Sequence, residues 1–459
     1  MLGLLGGLLG LLGAYWLLVP VRALVPADVP RLAELALDPA GGAVIVALGL
    51  AVGLLVGLIG HWSAGRSVDV RGGRGSSAGG WKGRRALVMG QVALTTLLVT
   101  GGAATLDEAL SLRRIDAGFQ AEGVQTTFMA LSQTRYPDRE SAAGFWTQLL
   151  EGMEARSIEA AVGVNPPMSG SQMPFGFRTE TVEEEAYAEY HTVSDKYFDV
   201  MGINLLAGRP FGPDDHQGSE PVVIIGESLA RERFPEGSPV GREITVVAAP
   251  RTVVGVVSST RHFGLDEPAP FEVYVPLRQD AWTLGHVLVK SSRADAVDVV
   301  SELVATLDPA VEVPQSRAYS SYLAEWYAPL RMRLIIVGTL ALVGTTLAGL
   351  GIYALVAFHV SSRRRELGIR IALGAPGTTI VAGVLRQGAI MAAGGLAVGL
   401  AGWYAALPFL SEHLASGGAT GVGLPLMVTS FVTLITLMAT LAPARRSAAV
   451  DPVVTLNTE

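Results

Sequence analysis

The sequence predicts a polytopic α-helical membrane protein, with about six transmembrane helices and one large α+β extracytoplasmic domain. Three observations point there. Half of the 459 residues are hydrophobic and only 16% are charged, with a mean hydropathy of +0.41, more apolar material than one soluble core needs. Several apolar stretches reach the roughly 20 helical residues that cross a bilayer core. Lys and Arg concentrate in short polar loops, whereas acidic residues clearly outnumber basic ones between Asp107 and Leu330.

The apolar stretches run over Leu2–Val25, Ala43–Gly60, Ala86–Leu106, Leu334–Val360, Ala389–Leu410 and Leu424–Leu441. Their glycines follow no Gly-X-Y period and read as small residues that let helices approach closely. The first stretch lacks the charged start of a signal peptide and is followed by further spans, so it reads as a true helix. Its abrupt start from Met1 reads as though upstream sequence were missing. Orientation follows from the loops. Arg66, Arg71, Arg74, Lys82, Arg84 and Arg85 face only Asp69 in the first loop; Arg363, Arg364, Arg365, Arg370 and Arg386 face Glu366 in the second; Arg445 and Arg446 lie in the tail. All three segments are therefore placed inside and 107–330 outside, in the periplasm. Arg22 and Arg31 go against this pattern, because they fall in a loop placed outside.

Within the outer domain, Phe145–Ile158 and Ala294–Leu307 have helical spacing. Pro221–Ile225, Glu243–Val247, Thr252–Val257, Phe271–Val275 and His286–Lys290 are short β-branched runs bounded by Gly, Pro and charged residues, the signature of strands. A faint repeat links Ser63–Val70 with Pro443–Pro452: each places a basic, Ser/Ala-rich exit and a Val-Asp step just past a span. The Gly-, Ser- and Arg-rich segment after the first copy reads as a flexible linker.

Catalytic chemistry is hard to find. None of Lys82, Lys196 and Lys290 follows a glycine, so the Gly-Lys-Ser/Thr of a P-loop is absent and any ATP must be handled by a partner. With no cysteine there is no thiolate nucleophile, disulfide or Cys-based zinc site. The histidines His61, His191, His216, His262, His286, His359 and His413 are scattered without ligand spacing, so no metal is expected. The acidic run Glu183–Glu185 reads as a solvated loop rather than a calcium site. The spans hold almost no ionisable residue of the kind ion-coupled carriers use. The acidic balance also argues against nucleic acid as a partner. No catalytic residue, cofactor or metal is therefore assigned, and the chain is not read as an enzyme.

The distinctive element is the cytoplasmic loop 361–388. A basic start is followed by Leu367 and Ile371 at helical spacing, a Gly/Pro break, and a second apolar set of Ile380, Val381, Val384 and Leu385. Such an element can dock into a partner's groove, or act only as a positive-inside anchor. At this loop the sequence resembles the MacB/FtsX-type ABC transporter permeases, and specifically the duplicated orphan permeases of acidobacterial type. Arg363–Ala375, Val384–Gly388 and Pro443–Arg446 with Val450–Pro452 carry the likeness. So do Val193–Ile203, Leu206–Phe211, Val223–Glu227, Asp266–Pro268 and Val273–Pro276 in the outer domain.

The resemblance implies a division into domains. Residues 1–71 would be the last two spans and tail of a first permease unit, with that unit's N-terminal part missing. Residues 72–85 would be a cytoplasmic linker, 86–106 a span, 107–330 a MacB-like periplasmic core domain, and 331–459 an FtsX-like permease domain of three spans. It also implies a permease in the cell inner membrane that couples ATP hydrolysis by a separate ATPase to movement of the periplasmic domain, for efflux or mechanotransmission. Such a permease would work as a dimer of four-span units, with a periplasmic protein as a further partner. The implied ATPase-coupling residues are Arg363, Arg364, Arg365, Glu366, Leu367, Gly368, Arg370, Ile371 and Gly374. Gly344 with Ala348, and Gly395 with Gly399, are spaced for close helix packing. The alternative is a non-transporting scaffold or sensor with a periplasmic binding domain.

Overall fold

A computed structural model of the chain describes residues 78–179, 182–247, 249–291, 295–363, 376–410 and 423–448, with further positions within 6–54 and 366–373. Its contacts divide the chain into two units, Met1–Ser111 with Ala328–Glu459, and Leu112–Tyr327.

Helix α1 spans Ala78–Leu112. The outer unit follows as β1 (Val124–Ala130), α2 (Arg139–Ala155), β2 (Glu159–Gly163), β3 (Pro174–Thr179), β4 (Val182–Val193), α3 (Tyr197–Met201), β5 (Leu205–Gly208), β6 (Val222–Gly226) and α4 (Glu227–Arg233). It continues with β7 (Glu243–Val246), β8 (Ala249–Val257), β9 (Glu272–Pro276), β10 (Leu284–Lys290), α5 (Ala296–Leu307) and β11 (Arg317–Ala318). Helices α6 (Ser320–Ser362), α7 (Gly377–Leu410) and α8 (Gly423–Ala448) complete the chain.

In the membrane unit, α1, α6, α7 and α8 are the helices among the described residues long and apolar enough to cross a bilayer. Only 11% to 33% of the most apolar stretch of each is buried, and Leu94, Leu340, Leu347, Val398, Leu434 and Met438 stand exposed on them. Bare apolar surface on every helix suits hydrocarbon and not water. The first two predicted spans lie largely outside the described residues; described positions within 6–16 and 41–51 are helical but form shorter stretches. Two boundaries differ from the sequence reading. Helix α1 begins at Ala78, so the linker's last residues already belong to it. Helix α7 begins at Gly377, so the second half of the cytoplasmic loop is helix continuous with the span; the Gly-Ala-Pro-Gly step, not the apolar onset at Ala389, starts it.

The outer unit holds one sheet with two parts. Strands β4, β3, β7, β8, β6 and β9 pair in turn, and β9 pairs back onto β4 in parallel, closing a ring. Strand β5 adds to β8. From β4 the sheet branches through β2, β10 and β1 to β11. The ring encloses Phe177, Tyr190, Val223, Ile225, Ile244 and Val273. The branch is covered by α2 and α5: Ala142, Phe145, Trp146, Leu149 and Met153 of α2 recur at helical spacing and pack with Val300 and Val304 on Val162, Val287 and Val289. Asp138 caps α2 by accepting from the Ser141 amide at 2.8 Å, which starts the helix six residues before the predicted Phe145. The acidic run Glu183–Glu185 lies within β4, not in a loop. Strand β3 pairs with β4 on either side of the run, at Phe177–Ala186 and Thr179–Val182, which carries the strand through it despite its low intrinsic strand preference.

On β10, His286 is buried beside Thr126, whose hydroxyl lies 3.3 Å from Nδ1, and against Phe128. Burial, with the nearby Arg317 guanidinium, pushes its pKa down to about 4. The folded unit therefore binds fewer protons than the unfolded chain between the ordinary histidine pKa and about 4, and stability is lost as pH falls through that window. We expect His286→Gln to remove up to about 3 kcal/mol of this acid sensitivity. The pH dependence of the outer unit's melting, followed by near-UV circular dichroism in wild type and variant, measures it.

Candidate functional site

The end of the membrane unit that carries the basic loop 361–388 is built from the last turn of α6, that loop and the first turns of α7. These enclose a cavity of about 250 Å³ lined by Arg363, Glu366, Arg370, Ile380, Val384 and Gln387, among others. Glu366 accepts from Arg370 Nη2 at 2.6 Å and lies 3.8 Å from Arg363 Nη1, so one carboxylate faces two guanidiniums. All three side chains are exposed, and such solvent-facing pairs contribute only a few tenths of a kcal/mol each. They can exchange partners at little cost, and the surplus is positive. The Leu373 amide donates to the Ile369 carbonyl at 3.0 Å, which holds these two residues one helical turn apart.

Of the residues expected to couple, Arg363, Glu366 and Arg370 are thus brought together. Arg364, Arg365, Leu367, Gly368 and Gly374 lie outside the described residues. Ile371, expected to face a partner, is half-buried; among the described residues of this segment the exposed apolar ones are Ile369, 44% exposed, and Leu373, 83% exposed.

The small residues of the spans meet as follows. A Cβ on Gly395 would fall against Val92, 3.0 Å from the Met89 carbonyl oxygen; one on Gly399 would lie 2.6 Å from the Ala93 carbonyl oxygen and from Thr96 Cβ. Gly344 lies against Thr95 and Leu98, and the Thr95 hydroxyl donates to its carbonyl at 3.0 Å. Ala348 is buried in the same helix core. Helix α1 is therefore packed against both α6 and α7. Near the other ends of α1 and α6, Arg333 Nη1 reaches the buried Glu108 at 3.2 Å.

In the outer unit the fold assembles a cluster that the sequence does not suggest. His191 on β4, Glu272 on β9 and His262 in the segment before β9 are all buried, and one ligand atom of each lies within 4.8 Å of the others. Parallel pairing of β4 with β9 sets Glu189 opposite Glu272 and His191 opposite Tyr274, and the His191 and Tyr274 rings stack at 4.6 Å. Burial, with the neighbouring His262, holds the His191 pKa well below its ordinary value, and burial pushes Glu272 up to about 7. The only sequence hint is period-two placement of Glu189 and His191 on one face of a strand.

The model of the MacB-like periplasmic core domain family matches residues 42–318, and that of the FtsX-like permease C-terminal family matches residues 338–452. The chain belongs to the MacB/FtsX-type ABC permease family. It is 24% identical over 338 residues to the macrolide export ATP-binding/permease protein MacB of Acinetobacter baylyi, which covers 71% of this chain and 50% of that protein. It is also 24% identical over 303 residues to the uncharacterized ABC transporter permease YknZ of Bacillus subtilis, covering 60% of this chain and 72% of that one. A crystal structure of the periplasmic region of MacB from Actinobacillus actinomycetemcomitans aligns with 47% of this chain and 96% of its own at 18% identity and a TM-score of 0.33. The permease spans about half the length of the Acinetobacter MacB it matches.

The helix contacts give a paired test. In Gly399→Ala the new methyl meets backbone and should cost the permease roughly 1–3 kcal/mol. In Gly402→Ala it meets only Leu97 Cδ1, at 3.8 Å, and the better helix former should leave stability equal or slightly higher. Thermal unfolding in detergent compares them directly.

Proposed function

We propose that the chain is the permease subunit of an ABC transporter in the cell inner membrane, coupling ATP hydrolysis by a separate ATPase to movement of its extracytoplasmic domain. The observation that carries the reading is the cytoplasmic surface formed by exposed Ile369 and Leu373 beside the Arg363, Glu366 and Arg370 cluster. Two apolar residues one turn apart, framed by rearrangeable charges, are the anchors a protein groove takes. Arg363 and Arg370 then pair with acidic groups of the partner as Glu366 releases them. Family membership supports the assignment, and these residues carry no Gly-Lys-Ser/Thr loop with which to bind the nucleotide themselves.

The membrane unit supplies what transmission of a push requires: long helices in close backbone contact at Gly395 and Gly399, with α7 running unbroken from the cytoplasmic cavity into the membrane. Four spans from α1 onward suit assembly as a pair of such units, with the acidic outer domain available to a periplasmic protein. The function is efflux or mechanotransmission; no substrate has to pass between these helices.

The test is co-purification of the full chain in detergent, with identification of any ATPase retained. Leu373→Asp and Ile369→Asp alter exposed side chains, so the protein should stay folded and inserted. We expect an ATPase bound to wild type and lost by at least tenfold in Leu373→Asp. Folded wild type that retains no ATPase would sink the reading and favour a scaffold or sensor role for the outer domain.

A further inference from the structure

We propose that His191, His262 and Glu272 form a binding site for a divalent transition-metal ion of the Zn²⁺ class inside the extracytoplasmic unit. The case starts from the protons on the two imidazoles. His191 Nδ1 lies 2.8 Å from the Asn165 carbonyl oxygen, which only accepts, so Nδ1 carries the hydrogen and Nε2 holds a lone pair. His262 Nε2 lies 3.2 Å from the Ser171 carbonyl oxygen and 3.3 Å from Asn165 Oδ1. The Asn165 amide is oriented by Nδ2 donating to Glu189 at 3.0 Å, so Oδ1 too is an acceptor. His262 Nε2 therefore carries the hydrogen and Nδ1 holds the lone pair.

Both lone-pair nitrogens, His191 Nε2 and His262 Nδ1, are buried with no hydrogen-bond donor. Leaving one such acceptor unsatisfied costs on the order of 1–3 kcal/mol. The group facing His191 Nε2 is a carboxylate oxygen, Glu272 Oε1, at 3.9 Å, too far for a direct hydrogen bond even were one group protonated. A cation in the cluster gives the His191 lone pair a partner, with one His262 nitrogen and a Glu272 oxygen each within 4.8 Å. Its charge also fits: Glu189 and Glu272 are both buried, and a dication balances two carboxylates.

The surroundings match what metal-bound histidines have. Each imidazole gives its second N–H to a carbonyl oxygen, the outer contact that fixes ring orientation and raises ligand basicity. Glu272 is steadied by the Thr260 amide at 2.9 Å, by the Thr260 hydroxyl and by the Tyr274 hydroxyl at 3.0 Å. Glu189 is engaged by Asn165 and by the Met173 amide at 2.8 Å. Asn165, which meets both histidines, sits at φ 60°, and Met168 at φ 58°; left-handed backbone at non-glycine residues costs roughly 1–2 kcal/mol each and marks a segment held to serve a site. Tetrahedral Zn²⁺ with bonds of about 2.0–2.2 Å sets its ligand atoms some 3.3–3.6 Å apart, so the cluster tightens by about 1 Å on binding. Two imidazoles and one carboxylate favour Zn²⁺, Co²⁺ or Ni²⁺ over soft Cu(I), and leave a fourth position for water or another oxygen ligand.

The test uses the full chain in detergent, stripped with a chelator and titrated with Co²⁺. We expect one equivalent to bind with the visible absorption of four-coordinate Co²⁺, and Zn²⁺ to displace it and raise the melting temperature of the outer unit. His262→Gln should weaken binding by at least tenfold, whereas His216→Gln, which alters an exposed histidine, should not. Folded wild type without the visible bands, or His262→Gln binding as tightly as wild type, overturns the proposal and leaves a metal-free polar core. Should His262→Gln fail to fold, the wild-type spectrum alone decides.

Discussion

Hydrocarbon accepts apolar side chains but offers no partner to a backbone amide or carbonyl, and this one constraint orders the membrane unit. It forces the segments that cross into continuous helices, each satisfying its own backbone. It also removes the drive to bury leucine, since lipid is as apolar as a protein core, so helix association has to come from close packing. The contacts follow from that. Glycines of α7 admit the backbone of α1, a threonine hydroxyl of α1 reaches a carbonyl of α6, and the Glu108–Arg333 contact sits toward the helix ends. Polar chemistry is displaced to where water or protein can solvate it: the cytoplasmic loop and the outer unit.

Those two places solve the charge problem in opposite ways. In the loop, Glu366, Arg363 and Arg370 are exposed and weakly held, so their pairing is exchangeable. In the outer unit, Glu189, Glu272, His191 and His262 are withdrawn from solvent and fixed by Asn165, Thr260 and Tyr274, so any change in their charge is felt as stability. A surface meant to meet a partner suits the first arrangement; a site that holds a small ion suits the second.

How much of this the sequence discloses depends on the range of the signal. Helices α1, α6, α7 and α8 are legible because a span is one contiguous apolar run. Strands β6 to β10 are legible because Val, Ile and Tyr crowd into short runs bounded by Gly and Pro. Strands β2, β3 and β4 are not: Glu-Ala-Ala-Val-Gly and the triple glutamate have little strand preference of their own and take it from their neighbours, β10 beside β2 and β3 beside β4. The start of α7 was hidden because a helix can run through a polar interface into the membrane while hydropathy registers only the apolar part. Arg363, Glu366 and Arg370 could be named because they share one loop, but which apolar residues face outward depends on the exact helical phase, and Ile369 and Leu373 were missed. The histidine cluster was illegible: 71 residues separate His191 from His262, and only the β4–β9 pairing brings Glu272 to them.

The closing of β9 onto β4 has a further consequence for the life of this domain outside the cytoplasm. Within the ring each strand has a neighbour on both sides, which leaves as edges β5, four residues added to β8, and β11, two residues at the end of the branch. Unpaired edges are where a foreign strand adds and where aggregates grow. With six strands in a ring and edge strands of only four and two residues, the domain offers little template for intermolecular pairing, so membrane-tethered copies can crowd one another without zipping together.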